Sequence, residues 1–417
     1  MAVDADTVQR VRILIVSMLY PPVAFGGYEV ECSAVVERLR ERHDVLVLTT
    51  EKDRRRVGDE PGIRRDLPLL TPNTRGALRG PLASLQAVAA ARSALAWAPD
   101  LIYVWNGSYV AQAALRVLAD SGIPLAFRVC EHWFGGLFVA DLFMRELLPA
   151  DRGPARAAWA AGARALNRLP SLRLDPQGPV RAAISWNSEA IRRMVPTPPF
   201  IEPVLERVGH SVPRYGDLYV DVVRAPSPQP NLVFLGRVTP YKGLSVAIEA
   251  LALLRSTYGL EATLTVVGPE DGDYAAEMRA LVERLGVAEA VRWRGPTPPK
   301  QVADLLAGAA ALIVPSTWEE PFPLVTIEAA LARVPIVASD VGGVSEGMHD
   351  EEHALLFARG DAAGAAAALD RTLREDEQTS ARVGRAFERA QRMFRLRPYL
   401  EEQERFVLDA LAALRET

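Results

Sequence analysis

Lysine is nearly missing from this chain. Of 48 basic residues in 417, only Lys52, Lys242 and Lys300 are lysines. A chain that chooses arginine so heavily has kept an ammonium at three places. Cysteine is scarcer still: Cys32 and Cys130 are too few for a disulfide framework or a thiolate metal centre. No uncharged apolar run reaches the length of a membrane-spanning helix. The opening MAVDADTVQR lacks the basic and apolar regions of a signal peptide, so the expected compartment is the reducing cytoplasm. A net charge of −4 gives no basic surplus for nucleic-acid binding. That charge is uneven, +5 over residues 1–200 and −9 over the rest, which directs an anionic partner toward the first half.

What is present indicates a folded protein of two domains. The hydrophobic share of 49% and charged share of 24% are those of a globular chain, and 417 residues exceed one ordinary core. Short β-branched apolar runs alternate with helical spacing. VRILIVSMLY (11–20), DVLVLTT (44–50), LIYVW (101–105), PLAFRVC (124–130) and AAISWNS (182–188) read as buried strands. Five prolines between Pro196 and Pro213 break the rhythm, which places a boundary near 203. The alternation then restarts with NLVFLGRV, ATLTVVG, VRWRG, ALIVPS and PIVASD, and a last helix is expected from Tyr399 to Leu414. The reading is α/β: two doubly wound parallel-sheet domains, 1–203 and 204–395, followed by a closing helix within 396–417. Ligands of such sheets lie outside the strands' carboxyl ends, so two of them imply a cleft between domains.

The loops after the strands hold the candidate chemistry. Gly26 and Gly27 stand between the first strand and a helix, where backbone N–H groups can approach a phosphate, although a Gly-Gly pair there also serves as a plain turn. It lacks the G-x-G-x-x-G spacing of dinucleotide binders. GRVTPYKG (236–243) puts Arg237 at a strand end and Lys242 at a helix entry. The pair reads either as solvated surface cations or as two charges converging with a helix dipole on a pyrophosphate. In CEH (130–132), His132 follows a strand and is either structural or a donor to a substrate oxygen.

WEEPFPLVTIEAA (318–330) carries three glutamates. Pro321 and Pro323 stiffen the loop, and Pro323 suits the first turn of a helix from Leu324 to about Arg333. Glu320 then sits in the loop and Glu328 on the helix, while Glu319 reads as a solvated neighbour. The N–H groups of Phe322, Leu324 and Val325 aim at an anion. A glycoside hydrolase pair needs carboxylates roughly 5–9.5 Å apart. A fully helical path of eight residues would separate Glu320 and Glu328 by about 12 Å. A bent loop shortens that, so the spacing leaves the pair open while favouring two carboxylates gripping one long ligand.

Glu320-PFPLVTI-Glu328 resembles the E-x7-E motif of the retaining nucleotide-sugar glycosyltransferases of family 4, which have the GT-B fold. LYPPVAFGG, GRVTPYKG, VVGPEDG, VRWRG, ALIVPS and PIVASDVGGVSE follow that family's order and spacing across nearly the whole chain. The resemblance implies transfer of a hexose-type sugar, with retention and without a bound metal or cofactor, from a UDP- or GDP-linked donor to an acceptor hydroxyl. Such a reaction serves polysaccharide, glycolipid or natural-product glycoside synthesis. Carried across, Arg237 and Lys242 neutralise the diphosphate, Glu328 accepts from ribose hydroxyls and Glu320 from donor-sugar hydroxyls. Leu324 and Val325 assist through their N–H groups, Arg294 lies where the base is read, His132 stands near the transferred sugar and Gly27 admits the donor phosphate. The last helix returns to the first domain.

Three departures stand out. Pro323 and Arg333 occupy positions where the family favours glycine, and HDEEHALLF replaces its Asn-Gly turn. Arg333 would adopt a left-handed conformation at a cost of about 1 kcal/mol or change the helix cap. In the first domain, RAAWAAGARALNRL within the Arg-rich segment 152–173 is either an ordinary packed helix or a basic face for an anionic membrane or acidic acceptor. Two rival functions share the fold: a nucleotide-sugar epimerase, and an idle sugar-nucleotide-binding protein. Retention of Glu320, Glu328, Arg237 and Lys242 argues against the second.

Overall fold

The computed structural model describes residues 10–23, 26–52, 57–58, 60–70, 79–137, 176–225, 228–270, 272–374 and 376–416. The Arg-rich segment 152–173 lies outside them. The chain divides into two units. One comprises Met1–Asn187, Ile191–Gly209 and Leu400–Thr417, the other Ser188–Ala190 and His210–Tyr399.

The first unit is built on β1 (Arg12–Ser17), β2 (Asp44–Thr50), β3 (Ile63–Leu67), β4 (Leu101–Asn106), β5 (Leu125–Val129), β6 (Val180–Trp186) and β7 (Ile201–Val208). They pair in the order β3-β2-β1-β4-β5-β6-β7, all parallel. The second unit has β8 (Asn231–Leu235), β9 (Thr263–Val267), β10 (Val291–Gly295), β11 (Ala311–Val314), β12 (Ile336–Ser339) and β13 (Leu355–Phe357). Their order is β10-β9-β8-β11-β12-β13, again all parallel. Central strands such as β1 and β9 are buried on both faces, which is why they read as unbroken apolar runs.

Three strands went unread in the sequence. IRRDL in β3, IEPVLERV in β7 and the three-residue β13 are all edge strands, with charge, a proline or little length in place of an apolar run. Strand β7 moves the boundary. It pairs with β6 through Val208, so the first unit continues to Gly209 rather than ending at 203.

The final helix spans Leu396–Arg415. Its residues from Leu400 onward belong to the first unit, where Phe406, Val407 and Ala410 are buried. Ion pairs Arg38–Glu404 (2.7 Å) and Arg207–Asp409 (2.6 Å) hold its polar side. The buried Tyr103 hydroxyl donates to Gln403 at 3.0 Å.

In each sheet the strand order reverses once, between β1 and β4 and between β8 and β11. Such a reversal opens a crevice at the carboxyl ends, where ligands of open parallel sheets bind. In the second unit the two loops bordering it are 236–243 and 315–323.

Candidate functional site

Glycine brings these two loops together. Gly243 ends the short turn Pro240–Lys242 in a left-handed conformation, φ 69°, and caps the helix Leu244–Ser256. A Cβ there would fall on the Pro315 carbonyl oxygen, so only glycine permits this approach. Thr317 fastens the contact, its N–H donating to the Tyr241 carbonyl at 2.9 Å and its hydroxyl to that of Pro240 at 3.1 Å.

Lys242 is thereby delivered to Glu320, with Nζ to Oε1 2.6 Å. Glu320 is only 3% exposed, and Ser316 Oγ donates to the same oxygen. The ammonium also lies 5.7 Å from the centre of the Trp318 ring. Arg237 takes a different position: it is exposed, with its guanidinium 5.5 Å over Tyr241. The sequence reading made Arg237 and Lys242 a converging pair. In the structure it is Lys242 and Glu320 that meet across the switch point.

The backbone of Glu320 is fixed from the far side by the loop after β12. Gly343 N–H donates to the Glu320 carbonyl at 2.7 Å. A Cβ on Gly342, whose φ is 52°, would overlap that same carbonyl. Glu319 is not the solvated neighbour expected. Its carboxylate accepts from Gly342 N–H at 2.7 Å and pairs with Arg359, tying the glutamate loop to the glycine loop. Phe322 is buried against His210 and Phe394, with ring centroids 5.0 and 5.6 Å away, and Ser188 Oγ donates to the Pro321 carbonyl at 2.6 Å. Phe322 thus anchors the loop through its ring.

The helix runs Leu324–Leu331 with Pro323 as its N-cap, one position earlier than first-turn placement. Leu324 and Val325 are half-buried, and their N–H groups have no acceptor within the helix. Arg333 follows it at φ 56°, in the left-handed conformation, and its guanidinium stacks 3.6 Å over Phe387. Stacking offsets the backbone cost that a glycine would avoid.

Glu328 faces Tyr219, which hydrogen-bonds to it. Burial pushes its carboxyl up to about 7, against the lowering effect of that bond. The sign follows directly. Stability associated with the protonated form is complete below the usual carboxylate range and is lost as pH rises through about 7. Glu328→Gln removes that titration, so its melting temperature should gain on the parent between pH 5 and 8. Parallel melting curves across this interval would refute the assignment.

Arg294 is exposed near the carboxyl end of β10, an edge strand two places from β8, hence about 10 Å away by strand spacing. It joins neither Lys242 nor Glu320. In the first unit, His132 opens the turn His132–Gly136 after β5 and is exposed. Its neighbours explain its position: Phe134 is buried among Phe127, Trp133 and Trp186 at centroid distances of 5.1–5.8 Å, leaving His132 outside. Gly26 and Gly27 are exposed at the start of the helix Gly27–Arg40. Gly26 N–H donates to Glu29 at 3.0 Å, and a Cβ on Gly26 would meet nothing within 4 Å.

Several supporting residues escaped sequence reasoning. Ser316 holds Glu320, Tyr219 holds Glu328 and Ser188 holds the loop between them. Beneath the Gly26–Gly27 turn, the fully buried Arg128 bonds Glu31 at 3.1 Å and Ser185 at 2.9 Å. Tyr28 reaches the Trp105 and Arg128 carbonyls at the ends of β4 and β5. Only Ser316, four residues from Glu320 in the same strand-end loop, carried a usable sequence signal.

Comparison with known proteins adds two matches. Residues 26–195 match the model of a glycosyl transferase 4-like domain, and residues 219–389 that of glycosyl transferases group 1. A D-inositol 3-phosphate glycosyltransferase of Acidothermus cellulolyticus is 38% identical over 148 residues, which are 34% of this chain and 33% of the relative. One from Streptomyces avermitilis is 36% identical over 167 residues, 38% and 36% of the two chains. The chain thus aligns with about a third of the length of these curated relatives. Sucrose-phosphate synthase from Thermosynechococcus elongatus superposes with a TM-score of 0.71 at 20% identity, covering 97% of this chain and 100% of that one. HepE of Anabaena, solved with UDP-glucose, gives 0.66 at 19%, covering 96% and 100%. The fold is GT-B. Among the described residues, no helix is long and apolar enough to cross a membrane.

Proposed function

We propose that this chain, a glycosyl transferase 4-like domain followed by a group 1 domain, is a retaining glycosyltransferase. It moves a hexose from a UDP- or GDP-linked donor to an acceptor hydroxyl. The observation that carries the reading is the Lys242–Glu320 pair at the switch point of the second sheet, beside a helix start.

A donor diphosphate competes with Glu320 for Lys242. Once the ammonium turns to the phosphate, the Glu320 carboxylate is released to accept from sugar hydroxyls, still held by Ser316. The N–H groups of Leu324 and Val325 and the exposed Arg237 add positive potential for the same anion. Glu328 accepts from ribose hydroxyls and Arg294 faces the base; for His132 and Gly27, roles toward the sugar and donor phosphate are what the family resemblance implies. The acceptor oxygen bonds to the anomeric carbon on the face the phosphate leaves. The C–O bond to phosphate breaks, and the acceptor proton passes to a phosphate oxygen. This route uses no metal and gives neither glutamate a nucleophilic role.

Incubation with a panel of UDP-, GDP- and other nucleotide-sugars should give slow nucleotide release with at least one donor, abolished in Lys242→Ala. Release from none, or unchanged release in the variant, would sink the transferase reading. Epimerisation without an acceptor would instead favour the epimerase. Because Glu328 titrates near 7, donor KM should fall as pH rises through that value, and Glu328→Gln should flatten the profile. An unflattened profile would remove Glu328 from the donor site.

A further inference from the structure

The turn HDEEH, where the chain departs from the family pattern, forms a compact donor cluster. Among the described residues, His349, Glu352 and His353 each present one ligand atom, all within 4.8 Å of one another. We propose that this turn binds a borderline divalent transition cation such as Zn2+, independently of the nucleotide-sugar site.

The donor set is two imidazoles and one carboxylate, which suits Zn2+ rather than Mg2+ or Ca2+. Tetrahedral coordination at about 2.0–2.1 Å places ligand atoms roughly 3.3 Å apart. His349 Nδ1 lies 3.2 Å from one Glu352 oxygen, and His353 Nε2 lies 3.7 Å from the other. A small rotation of the exposed His349 and Glu352 side chains toward the buried His353 therefore closes the site, leaving the fourth position to water.

The turn is built before any metal arrives. Asp350 accepts from the N–H groups of Glu351 and Leu356 at 3.0 and 2.8 Å. Arg371 grips Glu351 with both nitrogens, and Arg385 donates to the Glu352 carbonyl at 2.8 Å. Glu351 itself is held at φ 60°. So much support for a turn exposed over 349–352 and closed by the buried His353 preorganises the three ligands.

Two features limit the affinity. The His349 N–H donates to His353 Nδ1 at 3.2 Å, which puts the ring proton on Nε2. Coordination through either nitrogen gives up that bond, so loading exchanges a turn hydrogen bond for a metal bond. The guanidiniums of Arg385 and Arg389 add positive charge nearby.

The test is Zn2+ titration of the untagged full chain against a chromophoric chelator, in excess Mg2+. One equivalent should bind, with His349→Ala and Glu352→Ala each at least about tenfold weaker. Both side chains are exposed, so the variants should keep the parent's circular dichroism and melting curve. His132→Ala, at the exposed histidine of the other unit, should bind as the parent does, and bound Co2+ should show the visible bands of a tetrahedral site. Binding unchanged in His349→Ala, absence of a one-to-one endpoint, or displacement by Mg2+ would each overturn the proposal.

Discussion

Lys242→Met should lower kcat/KM for the nucleotide-sugar about 10²–10³-fold, the loss typical of one preorganised charge-stabilising donor. The effect has two sources. The diphosphate loses its ammonium, and Glu320 loses the partner that sits 2.6 Å away. Because Glu320 is 3% exposed, its charge would be left, among the described residues, with the Ser316 hydroxyl, at a cost of about 1–3 kcal/mol. For a unit of this size that is a fall in melting temperature of roughly 2–10 °C. The double variant Lys242→Met/Glu320→Gln separates the sources: it should recover the stability and none of the activity. Recovery of both would reduce the lysine to a structural role. Loss of stability without loss of turnover would show that the diphosphate binds elsewhere.

Gly342→Ala should be among the most damaging single methyl groups in the second unit. Its φ of 52° costs a side chain about 1 kcal/mol. Its Cβ would also overlap the Glu320 carbonyl and lie 2.7 Å from the Glu320 amide nitrogen, a steric conflict worth about 1–3 kcal/mol more. Relief requires Glu320 to move, so donor turnover should fall along with the melting temperature. Gly295→Ala supplies the control. It has a similar φ of 64° but nothing within 4 Å of a Cβ, so it should cost only the backbone term and spare activity. Calorimetry on the pair decides the matter: equal losses would mean that contact with Glu320 contributes nothing.

Core elements were legible because their signal is local. Buried parallel strands need apolar residues on both faces, so β1, β2, β8 and β9 declare themselves in sequence. Edge strands β3, β7 and β13 are free of that two-sided burial and read as loops, which is also why the sequence places the boundary short of β7. Glu320, Glu328 and Lys242 could be singled out by their rarity and spacing. Glu319 could not be told from a solvated residue, because its partners Gly342 and Arg359 are 23 and 40 positions away in sequence.

From its sequence alone, then, this protein is committed to two parallel α/β sheets with an E-x7-E segment after one strand. Residue pattern dictates backbone periodicity, and periodicity dictates that much. Which charges meet was decided only in three dimensions. The order β8-β11-β12 sets three remote loops side by side, and glycines at 243, 342 and 343 let their backbones touch. That approach puts Lys242 rather than Arg237 on Glu320, and burial, against the lowering effect of the Tyr219 hydrogen bond, moves Glu328 into the neutral pH range. Pairing energies and desolvation depend on distances that no local pattern encodes.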